Sequence, residues 1–203
     1  VNLSGCFVVN NQNMKPYPAY KPSGIAWLGD IPAHWEVSRL KYVSHINPEN
    51  LPESTPPDYL MQYLDIGNVD EINGIGSNQG IYFENAPSRA RRIVRQGDTI
   101  VSTVRTYLKA VAYFENPANN QIVSTGFAVI RPKYGVYSRY LKWLILSNEF
   151  IERVVVNSEG IGYPAINPSV LAGLPVWLPP LAEQQAIAAY LDGETARLDA
   201  LAA

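Results

Sequence analysis

GYPAINPSVLAGLPVWLPPLAEQQAIAAYLD, residues 162–192, changes its pattern three times, and each change names an element. Asn167-Pro168 is a helix start, because the Asn side chain can cap the first turn and Pro fits where no backbone N–H is needed. Gly173 stops that helix, LPVWL (174–178) reads as a short strand, and Pro179-Pro180 breaks it. From Leu181 to Ala203 the chain is dominated by Ala, Glu, Gln and Leu with no interior proline, which predicts a long helix. Ile187, Leu191, Leu198 and Leu201 fall on the a and d positions of a heptad whose weak members are Gln184 and Glu194. Such a coiled-coil-type seam needs a partner helix. The pattern is still running at Ala203, so the natural helix is expected to continue.

Upstream, Leu141, Leu144, Ile145, Ile151, Val154 and Val155 recur at helical spacing, predicting one helix with Ser138 as N-cap and Gly160 beyond its end. Before it, YLMQYLDIG (59–67), GIYF (80–83), DTIVSTV (98–104), AVAYF (110–114) and IVSTGFAVI (122–130) are rich in β-branched and aromatic residues and read as strands. The lead carries Pro16, Pro18 and Pro22, then apolar anchors at Trp27, Leu28, Ile31 and Trp35 that strap a segment over a core. The expected class is α/β of the α+β type: a mixed, strongly twisted sheet with flanking helices, then the long C-terminal helix.

With 203 residues, 47% hydrophobic and 17% charged, the chain can bury one substantial core. No apolar run is long enough to span a bilayer, so no membrane partner is expected. Cys6 is the only cysteine, which excludes an internal disulfide and a thiolate metal cluster and fits a reducing cytoplasm. The chain opens on Val1, and Met14 begins a more natural start, so residues 1–13 are expected to be a foreign or upstream leader.

Charge is segregated along the chain. No Lys or Arg lies between Tyr42 and Ser88, where Glu49, Glu53, Asp58, Asp65, Asp70, Glu71 and Glu84 do; Arg89, Arg91, Arg92, Arg95, Arg105 and Lys109 then follow against Asp98 alone. If residues 87–98 form a helix closed by Gly97, then Ser88, Arg91, Arg92 and Arg95 share a face with Ile93 and Val94 turned inward. A following strand would add Arg105, Tyr107 and Lys109 on one side, making a basic surface for a phosphate backbone. The competing expectation is that these arginines are solvated or paired with the acids of residues 49–85. Asn68, Asn73, Asn78 and Gln79 in one loop, and Asn116, Asn119, Asn120 and Gln121 in another, add amides that can pair with adenine edges.

Catalytic machinery is not evident. His34 and His45 are the only histidines, and His34 sits between Pro32 and Trp35 in a packing context. No lysine has an acid two residues before it, as Mg²⁺-dependent nucleases of the PD-(D/E)xK type require. GIGSNQG (74–80) lacks the dinucleotide-binding spacing, and NPSV (167–170) lacks the aromatic that stacks a flipped base. No catalytic or metal-ligating residue is assigned, and binding is the better class.

Four stretches carry a family likeness: YKPSGIAWLGDIPAHWEVSRLKYV (20–43), GDTIVSTVRTYLKAVAYF (97–114), STGFAVIRPK (124–133) and residues 162–192 quoted above. In that order they resemble the specificity subunit of type I restriction-modification enzymes, most specifically through Pro-Pro-Leu, Glu-Gln-Gln and Tyr-Leu-Asp at the start of the spacer helix. The resemblance implies a target recognition domain over 14–178 and the beginning of the conserved spacer helix over 179–203. It implies double-stranded DNA and methyltransferase subunits as partners, restriction subunits indirectly, and a non-catalytic role. S-adenosylmethionine, ATP and Mg²⁺ would then belong to the partner subunits. It also implies that Arg105, Tyr107 and Lys109 grip backbone while the loops Asn68–Gln79 and Asn116–Gln121 read bases. Tyr163 suits either a turn packed on the spacer helix or a DNA contact. Family members carry two recognition domains and two spacer helices, so this chain is either truncated or a half-subunit that self-associates through Leu191, Leu198 and Leu201. Two rivals stand beside this reading: a stand-alone nuclease or methyltransferase, and a protein interaction module without a DNA role.

Overall fold

Residues 7–8, 15–70 and 74–202 are described in the computed structural model; Asn73 and most of the expected leader lie outside the described residues. The lead forms two small antiparallel ladders, β1 (Phe7–Val8) with β2 (Lys15–Pro16) and β3 (Tyr20–Pro22) with β4 (Asp30–Pro32). β5 (Glu36–Arg39), α1 (Leu40–Val43) and β6 (Ser44–Ile46) follow directly. Ile31 and Trp35 are buried, with Trp27 and Leu28 packed beside them, so the strap anchors as its apolar spacing requires.

The middle is sheet, as its composition predicts: β7 (Leu60–Leu64), β8 (Val69–Asp70), β9 (Gly74–Ile75), β10 (Gln79–Tyr82), β11 (Ala90–Ile93), β12 (Thr99–Ser102), β13 (Val111–Tyr113), β14 (Gln121–Ser124) and β15 (Phe127–Pro132). Pairing sorts the main strands into two four-stranded sheets, ordered β10-β7-β14-β11 and β13-β12-β15-β6. β7 and β14 run parallel, and the other neighbours in both sheets run antiparallel. The run 122–130 therefore holds two strands, with the chain passing from one sheet to the other at Thr125–Gly126.

Alternation explains why these strands are apolar on both sides. Ile100, Phe127 and Val129 face Leu64 and Val123 across the gap between the sheets. Val101, Ala128 and Ile130 point the other way, into a core shared with the helices. Met61, Tyr63 and Ile122 fill a third cluster on the outer face of the first sheet.

The helical spacing after Ser138 resolves into two helices rather than one, α2 (Ser138–Leu146) and α3 (Asn148–Val156). Ser147 divides them: its hydroxyl donates to the Leu144 carbonyl at 2.7 Å and accepts from the Phe150 N–H, capping the second helix. Ser138 is the first helical residue rather than the cap, a place taken by Tyr137. α4 (Pro168–Gly173) begins as its Asn-Pro start predicts, with Asn167 Oδ1 accepting from the Ser169 N–H at 2.9 Å. β16 (Pro175–Leu178) pairs antiparallel with β5, and α5 (Leu181–Ala202) closes the described chain.

The heptad on α5 finds part of its partner within the chain. Gln184 and Ala188 are buried, Ile187 packs on the main core and Leu191 is half-buried, so the first half of the seam lies against the domain, chiefly along α2. Leu198 and Leu201 remain 59% and 76% exposed. Polar clamps fix this docking. Gln184 accepts from the Tyr137 N–H at 2.8 Å and donates to the Pro179 carbonyl at 2.9 Å. Glu183 accepts from Tyr17 Oη, from Trp35 Nε1 at 3.1 Å, and pairs with His34 Nε2 at 2.8 Å. Asp192 accepts from Arg139, Lys142 and Trp143.

Candidate nucleic-acid interface

The expected helix over 87–98 is instead a strand through its RARRIV core (89–94): β11 pairs with β14 through Ala90, Arg92 and Ile93, with a bulge at Arg91. A helix here would have stacked arginines at i, i+3 and i+4, whereas the ladder satisfies the backbone and suits Ile93-Val94. The expected single arginine face is lost with the helix. Arg91 lies over the Phe83 ring at 4.6 Å, and Arg92 is half-buried and donates to Asn50 Oδ1 at 3.0 Å. Burial lowers the Arg92 pKa from its ordinary value.

Most of the block is paired with the acidic segment that precedes it. Arg89 makes a two-pronged contact with Asp65, at 3.1 and 2.5 Å. The Arg89 hydrogen bond is the main reason the Asp65 carboxyl is held below its usual range. Arg91 Nε stands 3.5 Å from Glu53, and Arg95 reaches Glu49 at 2.5 Å. Glu49 also receives Arg131, the leading cause of its lowered pKa, and Arg131 in turn grips the fully buried Asp98 at 2.9 and 2.8 Å. The competing expectation of pairing with residues 49–85 is therefore what the structure shows for Arg89, Arg91 and Arg95.

The strands place the block's two ends apart. Asp65, Arg89 and Thr125–Gly126 sit where β7 and β14 end and β11 begins, and Thr103 joins them by its N–H to the Gly126 carbonyl, 2.8 Å. Arg95 and the 116–120 loop sit at the opposite end, after β11 and before β14. The 105–109 segment, expected as a strand, is a 3₁₀ turn over Thr106–Leu108 flanked by Arg105 and Lys109, both at φ 50. Thr106 Oγ1 bonds Ser158 Oγ at 2.7 Å, and Lys109 pairs with Glu152 at 2.9 Å. Arg105 is exposed, its guanidinium 4.8 Å from the centre of the Tyr163 ring, and Tyr107 is half-exposed beside it. Tyr163 is 68% exposed.

Several of the candidate amides are structural. Asn78 and Gln121 exchange a reciprocal pair of hydrogen bonds at 3.1 Å, and Gln121, fully buried, also donates to the Gln62 carbonyl at 2.9 Å. Asn120 donates to the Leu60 carbonyl, and Asn68 holds the Ser77 carbonyl. Asn116 and Asn119 stand exposed; Asn116 borders two clefts of about 420 and 480 Å³, and Asn119 borders the second, which Arg95 and Glu49 also line. Among the described residues no three His, Cys, Asp or Glu side chains gather as a metal site, and no helix is long and apolar enough to cross a membrane.

A family profile described as type I restriction modification DNA specificity domain matches residues 32–200. The MjaIX type I restriction enzyme specificity subunit of Methanocaldococcus jannaschii is 28% identical over 170 residues, 81% of this chain and 38% of that one. The crystal structure of the HsdS subunit from Thermoanaerobacter tengcongensis matches at 32% identity and a TM-score of 0.74, covering 84% of this chain and 44% of that one. A structure described as addressing complex assembly and conformational transition of the type I R-M system matches at 32% identity and TM-score 0.75 over the same shares. The chain thus spans less than half the length of these relatives.

Proposed function

The chain belongs to the family of type I restriction-modification DNA specificity domains, and from that premise we propose that it is a cytoplasmic target-recognition unit reading one half of a bipartite duplex site. On this reading residues 14–178 contact DNA and residues 179–203 open the spacer helix that docks methyltransferase subunits. Chemistry is left to the partners, with S-adenosylmethionine, ATP and Mg²⁺ bound by them. The observation that carries the reading is the unbroken family match across both the domain and α5. Glu183, Gln184 and Asp192 support it by fixing the helix to the domain, which a spacer needs if it is to set the distance between two reading heads.

The pairing of Arg89, Arg91 and Arg95 favours a second reading, a protein interaction module without DNA contact. DNA stays ahead because exposed ion pairs such as those of Arg89 and Arg95 contribute only about 0–1 kcal/mol, so a phosphate can replace a carboxylate there at little cost. Gel shift of a random duplex pool, with the methyltransferase subunits present and across a salt series, separates the two. Affinity falling steeply with salt, and one recovered half-site sequence, support DNA reading. No shift at low salt refutes it.

A further inference from the structure

Residues 160–164 form a turn closed at its base by paired backbone hydrogen bonds between Glu159 and Ala165, both 2.9 Å. Gly160 at φ 111 and Gly162 at φ 81 set its shape, and a Cβ on Gly160 would sit 3.3 Å from the Tyr163 carbonyl. The turn is tied down by Ile166 N–H to the Thr103 carbonyl at 2.9 Å and by the Thr106–Ser158 bond. From this braced frame Ile161 projects with 104% of its surface exposed, and Tyr163 with 68%. An isoleucine held fully in water on a shaped turn does nothing for the core. Beside it, Arg105 is held at φ 50 over the Tyr163 ring and, among the described residues, makes no ion pair, unlike Arg89, Arg91, Arg95 and Lys109.

We propose that this turn is a wedge for duplex DNA: Ile161 enters between stacked base pairs, Tyr163 covers the opened step, and Arg105 takes the adjacent phosphate. The proposal rests on the DNA-reading role above and names the side chains that would deform the site. Three features favour DNA over a protein surface. Two apolar side chains on a five-residue turn match one base step better than they match an interface of about 800 Å² per partner. The uncompensated Arg105 meets a polyanion. The braced backbone leaves little conformational entropy to lose on insertion. A wedge of this kind favours flexible pyrimidine–purine steps, giving preference at a position without base-edge hydrogen bonds.

The test uses the full chain with its methyltransferase subunits and a short duplex carrying the sequence selected above, its adenines replaced one at a time by 2-aminopurine. The expected result is a fluorescence rise at a single step. Ile161→Ser with Tyr163→Ser should abolish that rise and weaken binding about ten-fold with the salt slope unchanged, while Tyr163→Phe behaves as the parent. Because both positions are exposed, the double variant should melt with the parent protein. If the parent binds the duplex but the double variant binds and unstacks it equally well, the wedge is refuted and the DNA reading stands. Loss of methyltransferase association with DNA affinity intact would also refute the wedge, by giving the turn to a protein partner. If the parent binds no duplex, the DNA reading itself fails.

Discussion

Replacing Asp192 with Ala should loosen α5 from the domain by about 2–3 kcal/mol, and the structure gives the parts. The carboxylate accepts from Arg139 Nη1 at 2.8 Å, Lys142 Nζ at 3.1 Å and Trp143 Nε1 at 2.9 Å. Arg139 is 35% exposed and keeps Glu115, so its share is at most about 1 kcal/mol. Lys142 keeps the Tyr113 and Trp143 rings and adds about as much, and the indole left without an acceptor adds about 1 kcal/mol more. The helix beyond Asp192 is largely exposed, so the loss falls on local opening rather than on the whole fold. Hydrogen exchange of peptides from 181–202 should quicken roughly 30- to 150-fold while those from β12 and β15 are unchanged. Burial alone would raise the Asp192 pKa, but the hydrogen bonds from Arg139 and Lys142 outweigh it and the carboxyl sits below the ordinary range. Its contribution is therefore complete above the unfolded value of about 3.9 and disappears as pH falls through the lower folded value. Parent and variant should differ fully at pH 7 and converge only as the pH falls below the lowered folded value. Exchange of α5 unchanged by the substitution at pH 7 would refute the clamp.

Asp98→Asn removes half of a buried pair, leaving Arg131 with Glu49 alone, and should cost about 3–5 kcal/mol, a fall in Tm of more than about 6 °C by calorimetry. Gln121→Leu removes the side-chain bond to the Gln62 carbonyl and leaves the Asn78 amide without its reciprocal partner, so the urea midpoint should drop by the equivalent of about 1–2 kcal/mol, and an unchanged midpoint would deny Gln121 its structural role. Asp65→Asn frees Arg89 from its partner; if Arg89 faces phosphate, DNA affinity should rise and the salt slope steepen by about 0.9, and no change in either would place Arg89 outside the contact.

What could be read from the sequence divides by distance along the chain. Strands such as 98–104 and 122–130 were legible because burial on both faces writes itself as continuous apolar runs. The start of α4 was legible because Asn167 and Pro168 act within one turn. RARRIV misled because the spacing of its arginines fits a helix face while nothing local opposes that reading; the ladder with Ser124, Val123 and Ile122 decides its conformation. The fate of its arginines was hidden for the same reason, since Glu49 meets Arg95 only after 46 positions of chain are folded. Glu183 and Asp192 stood out as family motif, yet their partners His34, Trp35 and Arg139 lie far upstream, so only the fold exposes them as clamps. Ile161 carried one faint signal, a branched apolar residue between two glycines.

A recognition unit has a reason to keep its arginines paired. A bare cationic face binds any duplex, because counterion release is indifferent to sequence, and every such site competes with the target. Here Asp65, Glu53 and Glu49 sit against Arg89, Arg91 and Arg95, so on the proposed reading a loosely placed duplex would gain little: each phosphate would have to displace a carboxylate already in contact. At Arg89 and Arg95, whose side chains are exposed, that exchange is nearly neutral rather than forbidden. On the proposed reading, the net gain would be left to contacts that require close fit, the Asn116 and Asn119 amides and the Ile161–Tyr163 turn, whose energies would depend on which bases they meet. On the proposed reading, neutralising all three acids together should raise affinity for random DNA more than for the selected site and so lower the ratio between them. A ratio that rises instead would show that the carboxylates do not restrain nonspecific binding.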